Sequence, residues 1–80
     1  MIRLMAEDQH LTLTDQQVDR IRLWLLALIP ATACKIMPGP TAEIVVPDHE
    51  PKELSPGLLR RIEEIAGGRF RLTDATGQYL

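Results

Sequence analysis

The chain has 80 residues, 45% of them hydrophobic and 25% charged. That length holds one small domain, and the balance excludes a disordered segment, a collagen-like repeat and a disulfide-dense scaffold. The net charge of −2 gives the molecule no general attraction for a phosphate backbone; residues 1–54 sum to −3 and residues 55–80 to +1, so only the last third could present a basic face. With one Trp, one Tyr and one Phe, the core falls to Leu, Ile, Val, Met and Ala. The lone Cys34 cannot pair within the chain, which fits a reducing, cytoplasmic compartment.

In chain order, residues 2–6 alternate weakly and are expected to form a strand. Thr14-x-x-Gln17 then forms a capping box, flanked by Leu13 and Val18 in the positions of a hydrophobic staple, so a helix is predicted to start there. Val18, Ile21, Leu25, Leu28 and Ile29 recur at helical spacing and are its expected buried stripe, and Pro30 ends it. Arg20 and Arg22 before the apolar run 23–29, with small residues before Cys34, also suggest an export signal. The upstream segment is acidic, however, and the run falls well short of the ~20 residues a bilayer needs, so a buried helix and a following strand are expected and no membrane.

Residues 34–37 and 42–46 flank Pro38-Gly39-Pro40, a turn that fixes one φ and allows another to be positive, so they are expected to form a hairpin. Residues 47–53 carry no apolar side chain other than two prolines and read as a surface connection. Ser55-Pro56 announces a second helix over 56–66, with Leu58, Leu59, Ile62, Ile65 and Ala66 buried, Arg60, Arg61, Glu63 and Glu64 outward, and Gly67-Gly68 as a left-handed stop. Residues 69–73 alternate charged and apolar as a strand, and 74–77 turn the chain towards a short final strand at 78–80. The predicted fold class is α+β: two helices packed on one face of a small antiparallel sheet, in the ferredoxin-like βαββαβ order. A tandem αββ arrangement is the alternative if residues 2–6 are not a strand.

No catalytic constellation emerges. Cys34, His10 and the run Asp48-His49-Glu50 lack the spacing of a metal site. Cys34 lies in an apolar stretch that suits a small buried hydrophobe, nothing orients His49 as its base, and neither Gly67-Gly68 nor Pro38-Gly39-Pro40 stands where a phosphate loop would. No enzyme, metal or cofactor is therefore expected.

Two surfaces remain. Arg60, Arg61, Arg69 and Arg71 form the richest polar group, with the following hairpin faintly like a winged helix, although Glu63 and Glu64 stand close enough to neutralise them. The first helix has apolar residues beyond its stripe: Leu23, Leu26 and Ala27 point elsewhere and Trp24 sits at its edge. Either the N-terminal segment covers this second side or it meets another protein or a second copy. The expected function is a non-catalytic protein-interaction module, such as an adaptor, docking domain or inhibitor that sterically occupies a larger target. It would use Leu23, Trp24 and Leu26 or an edge strand, with Arg60, Arg61, Arg69 and Arg71 adding charge complementarity. The alternative is a nucleic-acid-binding regulator that uses the C-terminal arginines.

Overall fold

A computed structural model describes residues 1–29 and 33–73. Its elements are β1 (Ile2–Ala6), α1 (Asp15–Leu28), β2 (Lys35–Met37), β3 (Glu43–Val46), α2 (Pro56–Ala66) and β4 (Phe70–Thr73), with one turn of 3-10 helix at Pro51–Glu53 between β3 and α2. The four strands form one antiparallel sheet in the order β2-β3-β1-β4. β1 and β2 run in one direction with β3 inserted between them, and β3 and β4 run in the other with β1 inserted. The result is two interlocked split βαβ units, broadly the ferredoxin-like order. Because β1 lies in the middle of the sheet, the tandem αββ alternative is excluded. The turn and short strand expected over 74–80 lie outside the described residues.

The registers sort the side chains by face. Ile36, Ile44, Leu4 and Leu72 lie in one row across the sheet, with Ile2 opposite Val46 and Ala6 opposite Phe70. Against this face pack Ile21, Leu25 and Ile29 of α1 and Leu58, Ile62 and Ala66 of α2, making one core with Leu13 and Ala42. The other face carries Arg3, Met5, Lys35, Met37, Glu43, Val45, Arg71 and Thr73. It is laced by an Arg3–Glu43 ion pair and by Arg71 Nε on Glu7 Oε1 at 2.8 Å. Thr73, the one buried polar residue among those described, donates its hydroxyl to the Arg3 carbonyl.

Local signals set the helix ends. Thr14 Oγ1 accepts from the Gln17 N–H and Gln17 Oε1 accepts from the Thr14 N–H, which completes the capping box. Gln17 Nε2 also donates to the Ile65 carbonyl at 3.1 Å, so one amide caps the start of α1 and ties it to the end of α2. Ser55 Oγ caps α2 through the Leu58 N–H, and Gly67 ends it at φ 76°. The turn at 38–40 also conforms: Gly39 has φ 113°, and a Cβ there would stand 2.6 Å from the Leu11 carbonyl oxygen.

Three details differ from the sequence expectation. Leu28 is exposed, because a step of three residues from Leu25 rotates it about 60° off the buried line at the helix's last residue. Glu63 turns inward instead of joining the outer face, and its carboxylate accepts the Phe70 N–H at 2.9 Å. The connection at 47–53 contains a helical turn, held by Glu53 Oε2 accepting from the Glu50 N–H at 2.6 Å and lying 3.1 Å from His49 Nδ1.

Candidate functional site

Helix α1 is amphipathic on its core side and apolar again on the outside of its C-terminal half. Leu23 is 67% exposed, Leu26 45% and Trp24 39%, and Leu28 joins them. Fully burying a leucine is worth roughly 1.5–3 kcal/mol, so this helix leaves a substantial stabilisation unused. The N-terminal segment does not recover it. After β1, residues 9–13 run beside the β2–β3 turn, where Leu11 O accepts from Ala42 N–H, Gln9 O from Thr41 N–H and Pro38 O from Leu13 N–H.

Leu23, Trp24 and Ala27 line a shallow depression of about 200 Å³. Residues three and four apart share a helix face, which sets Leu23 and Trp24 against Ala27 in one turn and places Arg20 one turn earlier on the same side. Arg61 of α2 reaches across and holds its guanidinium carbon 5.2 Å from the centroid of the Trp24 ring, while Arg61 Nη1 donates to Glu64 Oε2 at 3.0 Å. This cation–π contact fixes the indole at the rim, with one face against Arg61.

The four arginines do not form one surface. Arg60 and Arg61 are exposed on α2. Arg71, placed opposite Met5 in β4, lies on the far face of the sheet and pairs with Glu7. Arg69 stands just ahead of β4 and is exposed. A β-strand turns successive side chains to opposite faces, and here the parity of β4 aims Phe70 at the helices and Arg71 away from them. Only Arg61 therefore meets the apolar group of α1. Arg20, which is not among the site residues expected from the sequence, is exposed three and four residues ahead of Leu23 and Trp24 on the same side of α1.

The other candidates stay apart. Among the described residues, no three His, Cys, Asp or Glu side chains converge in a group able to hold a metal ion. His10 is exposed, His49 faces Glu53, and Cys34 is half-buried and free. The Glu50 N–H holds the Glu53 carboxyl below the usual glutamate range, with His49 adding to the effect. No described helix is long and apolar enough to cross a membrane. Comparison of the chain with protein-family models, with curated proteins and with solved structures gives no match.

Proposed function

We propose that this domain is a non-catalytic protein-interaction module that docks a partner on the outer face of α1. The observation that carries this reading is the exposed cluster of Leu23, Trp24, Leu26 and Leu28 beside the depression at Ala27. Isolated exposed leucines are ordinary on a protein surface, whereas a contiguous apolar group around a tryptophan held by an arginine has the composition of an interface centre. Steric occupation of a larger target, as adaptor or inhibitor, follows from so small a domain presenting one such face.

The experiment is capture of tagged protein from a lysate of the encoding organism, with and without nuclease, comparing the native chain with L23D and L26D. The proposal predicts a stoichiometric protein that survives nuclease and is lost with either variant, while circular dichroism shows both variants folded. Capture of nucleic acid alone, equally by native and variant chains, would favour the arginine-based regulator instead. If the variants unfold, those leucines belong to the core and the proposal fails.

A further inference from the structure

The apolar face of α1 is complementary to itself. Its depression lies at Ala27, walled by Leu23 and Trp24, and Leu23 is the most exposed of the large apolar side chains described, at 67%. Knob and hollow thus stand four residues apart on one line of the helix, about 6 Å along its axis. A two-fold axis that sets two copies of α1 antiparallel exchanges these positions, so each Leu23 meets the Ala27 of the other copy and both contacts form at once.

The charges suit this pairing. Asp15, Asp19, Glu63 and Glu64 balance Arg20, Arg22, Arg60 and Arg61 on the two helices, and residues 23–29, which the pairing overlaps, contain no charged side chain. The centre of the contact therefore opposes no like charges. The last turn of α1 has no basic residue, so its carbonyl end is not offset within the helix. Arg20 has no ion-pair partner among the described residues. With Leu23 opposite Ala27, Arg20 of one copy stands level with the end of the other copy's α1, where its charge meets those carbonyls. The area also fits. The exposed parts of Leu23, Trp24, Leu26 and Leu28 amount to on the order of 400 Å² of apolar surface. A standard interface takes about 800 Å² from each partner, about 65% of it apolar in homodimers, so this patch supplies most of the apolar part of one.

We infer that the face of α1 is occupied by a second copy of this chain, in a reversible antiparallel two-fold dimer with Leu23 of each copy seated at Ala27 of the other. The inference rests on the docking role proposed above and names an occupant, with which a larger target competes for the same surface. A patch of this size gives a modest affinity, with a Kd on the order of 10–100 µM. A nucleic acid has less to hold, because the seat is uncharged and Arg71 lies on the other side of the sheet.

The test is analytical ultracentrifugation of the native chain from well below to well above that Kd, beside L23D, A27F and R20E. The native chain is expected to pass from monomer to dimer on concentration, with a blue shift of its single tryptophan's fluorescence as Trp24 loses water. L23D, folded by circular dichroism, should weaken the dimer about tenfold or more. A27F adds apolar surface but fills the hollow, and should also weaken it about tenfold, whereas a greasy contact without reciprocal seating would tighten. R20E should weaken it about two- to fivefold, and an R20E dimer as tight as the native one would contradict the antiparallel placement. A native chain that stays monomeric throughout, or a dimer that L23D leaves intact, overturns the inference. In that event, capture of a different protein that is lost with L23D leaves the docking role standing. A tryptophan shift with a single-stranded oligonucleotide but none on concentration would assign the face to a nucleic acid and overturn both. If L23D is unfolded, Leu23 belongs to the core and both fall.

Discussion

Trp24 is where the chemistry of single residues is most concentrated. Its ring lies at the boundary between core and solvent, and the Arg61 guanidinium over it turns a mobile aromatic into a placed one. Replacing Arg61 with Ala should destabilise the fold by about 0.5–1 kcal/mol, the range for an exposed cation–π contact, and redden the Trp24 emission. Unchanged emission would show that the contact does not hold the indole. Gly39 makes a sharper demand, because its φ of 113° and the Leu11 carbonyl at 2.6 Å from a would-be Cβ both refuse a side chain. G39A should therefore cost on the order of 1–3 kcal/mol in urea unfolding, and a stability equal to the native chain's would contradict the turn geometry. Glu53 supplies a pH signature. Its carboxylate accepts from the Glu50 N–H, which lowers its pKa in the folded state. The stabilisation is present above the unfolded glutamate value and is lost as pH falls through the depressed folded value. In an NMR titration the Glu50 amide should move with a midpoint below the ordinary glutamate range; a midpoint within or above that range would contradict the assignment.

At the scale of elements, the two helices and the antiparallel hairpin were legible to different degrees. The ends of α2 are written in neighbouring residues: Ser55 and Pro56 at one end and Gly67 at the other act within a single turn, so 56–66 could be read directly. Strand ends depend on pairing with residues far away in the chain, and β2 and β3 each begin one residue later than their apolar runs suggest. The turn at Pro51–Glu53 was invisible because a side chain accepting from a backbone N–H three residues away, and not an apolar pattern, holds it. For α1, sequence showed an excess of apolar surface but could not say which of two sides the chain covers. That answer depends on β1 taking the middle of the sheet. Two predictions follow from the helix as observed. T14A removes the hydroxyl that accepts from the Gln17 backbone N–H and should cost about 1 kcal/mol. I21A empties a fully buried site and should cost about 2–5 kcal/mol, whereas L23A should change stability by less than about 1 kcal/mol. Similar losses for the two in chemical denaturation would mean that the outer face of α1 is packed.

For the molecule as a whole, exposure of these leucines does not reflect loose packing. The radius of gyration is 11.2 Å, against about 11–12 Å for a compact chain of this length. Among the described residues, fourteen buried apolar side chains already close a core between sheet and helices, so the face of α1 is surplus to it. The arginine cluster divides at this scale for a topological reason. Arg60 and Arg61 ride on the helical layer while Arg71 faces outward from the sheet, and the strand order that separates them has no local signal in the sequence. The contact between Trp24 and Arg61, which joins two helices distant in sequence, was unreadable for the same reason. The most direct measurement is photo-cross-linking in the encoding cell, with a photoreactive phenylalanine analogue replacing Leu23 in one sample and Arg71 in another. The account predicts a discrete protein adduct from position 23 and none from position 71; an adduct from 71 alone, or the absence of any adduct from 23, would contradict it.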